Sequence, residues 1–151
     1  MERFDPDPLP LSPAIAAGEF SAAQLVFYEV DHSGPSFEAL VFLNAEKPGV
    51  ETPLDREAGF AGSFVIFGHG GCVGDEGHCD VPEKSKEPFD DRPLHALTPQ
   101  TKTVDISERL RQVYADGDGL RVSVLAIVPG DEMPELRDVL FFSAMRLLAF
   151  D

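Results

Sequence analysis

The chain has 151 residues, enough for one domain that buries its own hydrophobic core. Hydrophobic residues make up 43% and charged residues 26%, a balance that excludes wholesale disorder. The formal net charge of −15 opposes binding to phosphate backbones and to anionic membrane surfaces, because like charge repels at both.

The first 24 residues, rich in proline and alanine, read as an extended N-terminal arm, and residues 25–151 as a single domain. The opening "MERFDPDPLPLSPAIAAGEF" has no basic segment ahead of an apolar run, so no secretory signal is expected. No stretch reaches the roughly 18 apolar residues of a membrane helix, and the simplest expectation is a cytoplasmic protein. In that compartment thiols stay reduced, which favours metal binding over a disulfide for Cys72 and Cys79.

"AQLVFYEVDH" is a β-rich run, "SGP" breaks it, and "SFEALVFLN" is another, which predicts a hairpin or a pair of sandwich strands. In the second run Phe37, Ala39, Val41 and Leu43 share one face while Leu40 and Phe42 occupy the other, so burial on both sides is expected. "AEKPGVETPLDREAG" is loop by its proline, glycine and charge. "AGSFVIFGH", short, aromatic and bounded by glycines, reads as a strand with Phe64 and Ile66 on one face and Val65, Phe67 and His69 on the other. From Gly68 to Pro99 there is no periodic segment, a length that in a compact domain signals function, metal or disorder.

"TKTVDIS" is a further strand, and Ser107 is the expected cap of a short helix over "ERLRQVY", with Leu110, Val113 and Tyr114 at helical spacing. "ADGDG" ends that helix. "LRVSVLAIV" alternates, with Leu120, Val122, Val124, Ala126 and Val128 on one face. The last segment has the Leu, Met and Ala content of a helix, but its setting among short strands and turns favours a strand within "DVLFFSAMRLLAF". These elements predict an all-β fold: an antiparallel β-sandwich of jelly-roll or cupredoxin-like type, with one short helix and a long irregular loop.

That loop carries the chemistry. His69, Cys72, His78 and Cys79 fall within eleven residues, and thiolate and imidazole are the ligands that zinc and copper(I) prefer. His95 is a further candidate ligand. Against a single metal centre stand the missing Cys-x2-Cys knuckle and the adjacency of His78 and Cys79, which bars both from one ion unless the backbone bends sharply. The plain alternative is a glycine-rich loop whose histidines make local hydrogen bonds and whose cysteines are free or oxidised. The doublets Asp75-Glu76 and Asp90-Asp91 are acidic pairs of the sort that does acid/base work, yet in so acidic a chain they read as solvated surface. A cysteine nucleophile would need an orienting third group, and "GHGGCVG" lacks the Gly-Lys-Ser/Thr ending of a phosphate loop. Phe89, outside any strand, is a candidate partner anchor, with packing under its own loop as the alternative.

Four short pieces occur in a familiar order: Ala61-Gly62-Ser63-Phe64 running towards His69, then Phe89-Asp90-Asp91-Arg92, then Val104-Asp105-Ile106-Ser107, then Val128-Pro129. Over residues 25–130 this order resembles the C-terminal β-sandwich domain of type-3 copper proteins, the tyrosinases, polyphenol oxidases and molluscan hemocyanins. The resemblance implies a domain that is not the enzyme. In that family the dicopper site lies in a separate helical core, and the sandwich covers its entrance with an apolar placeholder side chain. This chain has four histidines in total and no helical His-x3-His pair, so by itself it is not expected to be a type-3 copper enzyme. The resemblance implies docking on a tyrosinase-like dicopper core, as a shield or a copper-loading helper, with Phe89 and Leu94 as candidate contacts. The insertion "CVGDEGHCDVPEKSK" departs from both relatives and holds most of the Cys/His cluster. A stand-alone metal-binding module for zinc or copper(I) is the alternative reading.

Overall fold

The computed structural model describes residues 2–68, 99–113, 119–129 and 139–151. Seven strands and two short helices follow in the order β1 (Glu2–Phe4), α1 (Pro13–Ala16), β2 (Ala22–Val30), β3 (Phe37–Leu43), β4 (Phe60–Ile66), β5 (Gln100–Asp105), α2 (Ser107–Gln112), β6 (Val122–Ile127) and β7 (Ala144–Phe150). Two antiparallel sheets, β1-β6-β3-β4 and β5-β2-β7, form an all-β sandwich. Among the described residues, no helix is long and apolar enough to cross a membrane.

Alternation puts one face of each strand between the sheets. Leu25 and Phe27 of β2, Ala39, Val41 and Leu43 of β3, Phe64 and Ile66 of β4, and Val122, Val124 and Ala126 of β6 are buried in one cluster. At its centre the Phe27 ring lies 5.0 Å from Phe64 and meets Phe142 edge-on at 5.2 Å; Phe142 in turn meets Phe4 at 4.9 Å. The expected two-sided burial of β3 is observed, because Leu40 and Phe42 form a second cluster with Leu125 on the outer face of the larger sheet. The runs "AQLVFYEV" and "FEALVFL" are not a hairpin; β2 and β3 belong to different sheets, the second of the two arrangements expected.

The sandwich also draws on the stretch read as an arm. Glu2 to Phe4 pair with Ala126 to Val124, Leu9 bridges Leu120, and the Glu2 carboxylate accepts the Leu140 N–H at 2.8 Å. Pro13 at the first turn and the Ser12 hydroxyl, which accepts from the Ile15 N–H, start α1, so the described residues hold one helix more than expected. The last segment resolves in favour of the strand, as β7.

One glycine of the Ala-Gly-Ser-Phe element has a clear cause. Gly62 has φ +153°, and a Cβ there would lie 2.7 Å from Val104 Cγ1, so this glycine lets β4 approach β5 where one sheet passes to the other. The expected cap at Ser107 is corrected. Ile106 holds the cap position, and Asp105 Oδ1 instead accepts the Ser107 N–H at 2.9 Å. The buried Ser107 hydroxyl turns inward, donating to Asp105 Oδ1 at 2.6 Å and accepting the Ala23 N–H at 2.9 Å, which ties α2 to β2. Leu110 and Val113 pack on the core as their spacing predicts, while Tyr114 lies outside the described residues.

Candidate functional site

The sequence-chosen ligands His69, Cys72, His78, Cys79 and His95, the contacts Phe89 and Leu94, and the doublets Asp75-Glu76 and Asp90-Asp91 all lie outside the described residues. Their attachment points do not. The chain leaves β4 through Phe67 and Gly68 and re-enters the sandwich at Pro99 and Gln100, the first residue of β5. Both ends meet the turn that follows β2. Gly68 N–H donates to Ser36 Oγ at 3.0 Å, and a Cβ on Gly68 would lie 2.1 Å from the Gly34 carbonyl oxygen, so only glycine fits. On the return side Gln100 pairs with Val30, and its Nε2 lies 3.4 Å from His32 Nδ1.

The turn is held by its own side chains. Asp31 Oδ1 accepts the Ser33 N–H and Oδ2 accepts the Ser33 hydroxyl, each at 2.9 Å, and the Asp31 N–H donates to the Phe141 carbonyl at 3.0 Å. The Ser33 N–H bond is the main cause holding the Asp31 carboxyl below the usual carboxylate range. Asp105 is lowered likewise, chiefly by the Ser107 hydroxyl. Around this end stand the exposed rings of Phe67 and Phe141, 76% and 63% accessible. His32, 8% accessible, was not singled out from sequence. Its only signal was a histidine at the close of a strand, just before Ser-Gly-Pro. Among the described residues no three His, Cys, Asp or Glu side chains gather as a metal site.

A second feature lies where the 54–61 segment meets the start of α2. Leu54, Asp55, Arg56, Phe60 and Ala61 on one side and Asp105 through Arg109 on the other enclose a cleft of about 500 Å³. Arg56 pairs with Glu108 across it. Asp55 Oδ1 accepts the Ala58 N–H at 2.8 Å, and Asp105 is engaged by Ser107. Among the described residues Arg109 reaches two neutral acceptors: Nη1 lies 3.3 Å from Gln112 Oε1 and Nη2 3.3 Å from the Leu43 carbonyl oxygen. Its Nε is buried and has no hydrogen-bond acceptor among the described residues. Sequence reasoning missed this cleft, because its two walls lie about fifty residues apart and the pieces noted on them, Ala61 on one and Asp105-Ile106-Ser107 on the other, mark the fold rather than a site.

No family model matches the chain, and no curated protein does. Among solved structures, a latent aurone synthase (polyphenol oxidase) from natural source is similar over 99% of this chain, with a TM-score of 0.53 and 14% identity. A recombinantly expressed latent aurone synthase matches at a TM-score of 0.49 and 13% identity, again over 99% of this chain. The likeness is one of fold, and the chain spans 24% and 23% of the two solved chains.

Proposed function

We propose that this chain is a non-catalytic accessory domain that docks on a type-3 copper oxidase core, shielding its site or assisting copper loading. The observation that carries the reading is the β-sandwich itself, which shares its fold over nearly its whole length with part of a polyphenol oxidase. The ordered motifs of the sequence point to the same domain, the one beyond the catalytic core. Co-expression with a tyrosinase-like dicopper core tests it. Co-elution is expected, together with a change in the core's diphenol oxidation or copper content. Absence of both a complex and any change would refute the reading. Phe89 and Leu94 are the proposed contacts, and alanine at either should weaken the complex by about 1 kcal/mol or more if it is an anchor.

A second reading concerns the Cys/His segment, in which His69, Cys72, His78, Cys79 and His95 hold zinc or copper(I). What favours it is the anchorage. Both ends of the segment are fixed by one turn, which reduces the entropy a metal would have to remove when it orders the ligands. Protein purified without affinity-tag metal should carry stoichiometric zinc or copper, lost on joint Cys72→Ser and Cys79→Ser substitution. Substoichiometric metal that both substitutions leave unchanged would dismiss it.

A further inference from the structure

We propose that the open edge of β7 pairs antiparallel with the β7 edge of a second copy of this chain, joining two sandwiches across a twofold axis. The proposal goes beyond the accessory role and stands independently of it.

The edges of the two sheets are not alike. Among the described residues β1, β4, β5 and β7 each end a sheet. β1 has only three residues. β4 and β5 close on each other, with Gly62 against Val104, and each carries a register shift against its inner neighbour. β7 has seven residues, keeps unbroken register with β2 from Ala144 opposite Tyr28 to Phe150 opposite Ala22, and contains no proline and no residue of positive φ. On its other side no strand pairs with it among the described residues. A long, regular edge presents a row of backbone donors and acceptors, which is a template for another strand.

Charge points to the occupant. Residues 139–150, "VLFFSAMRLLAF", hold no acid and one cation, Arg146, in a chain with 27 Asp and Glu. A basic partner would find no acidic counterpart along this strand. A second copy is repelled by the strongly acidic molecule as a whole, yet meets no opposing acid here, provided the two Arg146 side chains stay apart. Met145 and Leu147 pack on the core, so Arg146, Leu148 and Phe150 share the outer face of the sheet. Pairing about an axis normal to the sheet keeps that face common to both copies only in registers that oppose outer residues to outer residues. With Leu148 on the axis, it meets its own counterpart, and Arg146 stands opposite the second copy's Phe150, a cation beside a ring instead of a second cation. Leu148 and Phe150, 37% and 45% exposed, then lose contact with water in both copies. The twofold contact uses β7 once in each copy, so assembly stops at two. One strand pair is a small interface, which fits a reversible dimer rather than an obligate one.

Analytical ultracentrifugation of the full chain over a dilution series tests the pairing. At about 0.15 M salt, where the screening length is about 8 Å, monomer and dimer should exchange at high micromolar protein, and added salt should favour the dimer by screening the repulsion between copies. Amide hydrogen exchange on the same series should slow in β7 as the dimer fills, with β1 and β4 unchanged. Leu148→Lys combined with Phe150→Lys sets cations against one another across the axis and should weaken the dimer at least about tenfold. The exchange measurement needs no variant, so it decides the matter where the two lysines unfold the chain. A monomer at every concentration would leave the edge to some other chain and overturn the proposal. Protection outside β7, growth beyond a dimer, a dimer lost on adding salt, or full affinity in a folded double variant would overturn it equally.

Discussion

At the scale of single residues, Ser107 does more than its position at the start of α2 suggests. Its hydroxyl supplies the acceptor for the buried Ala23 N–H and, with the backbone N–H, fixes Asp105. Ser107→Ala removes the acceptor and leaves Ala23 N–H buried and unpaired, which should cost about 1–3 kcal/mol, read as a lowered urea midpoint at unchanged slope. Asp105 gives the matching dependence on pH. Its folded-state pKa lies below its unfolded value, so its contribution is fully present above the unfolded value and is lost as pH falls through the folded one. The stability gap between the wild-type chain and Asp105→Asn should therefore be constant at neutral pH and shrink on acidification below about pH 4. A gap that grows towards acid would contradict the bonding described. Asp31, lowered by Ser33, acts with the same sign. Neither residue was marked by the sequence in these roles, because the partners of Ser107 lie 84 positions away as well as two.

At the scale of elements, the strands were legible where alternation is strong. Phe37, Ala39, Val41 and Leu43, or Phe64 and Ile66, define a buried face with no help from tertiary context. β1 was not legible. Three residues carry no period, and their pairing with β6 bridges more than a hundred positions of sequence. β7 was ambiguous for a different reason, since Leu, Met and Ala favour a helix while pairing with β2 decides for a strand. That strand now sits at the edge of its sheet with Leu148 and Phe150 exposed, no proline, and Arg146 as its one charge. Arg146 is partly occupied, lying 5.8 Å over the Tyr28 ring. Long, weakly charged edge strands tend to pair with other chains. Leu148→Lys combined with Phe150→Lys should slow aggregation at high protein concentration, seen by light scattering, while stability changes by no more than about 0.5 kcal/mol per site. Faster aggregation in the double variant would show that this edge is not the weak point.

At the scale of the whole molecule, the class of fold was in the sequence, but not the strand order of either sheet, since alternation says which face is buried and not which neighbour covers it. The candidate ligands were chosen by residue type within one short segment, whereas the features the structure adds come from distant segments meeting. His32 stands beside Gln100, and Arg109 beside the 54–61 segment. Charge is the property that belongs to no element. With 27 acidic residues against 12 Lys and Arg, repulsion acts throughout the folded chain. Among the described residues the two ion pairs, Arg3–Asp5 and Arg56–Glu108, are exposed and offset little of it. Unfolding spreads these charges apart, so whatever weakens their mutual repulsion favours the folded state. Raising ionic strength from about 0.01 to 0.15 M shortens the screening length from about 30 to about 8 Å. Over that range the thermal midpoint at pH 7 should rise, and it should rise alike in sodium chloride and choline chloride if general screening is the cause. A midpoint that falls with salt would mean that attractive pairs outweigh the repulsion. A rise specific to one cation would point to a bound ion instead.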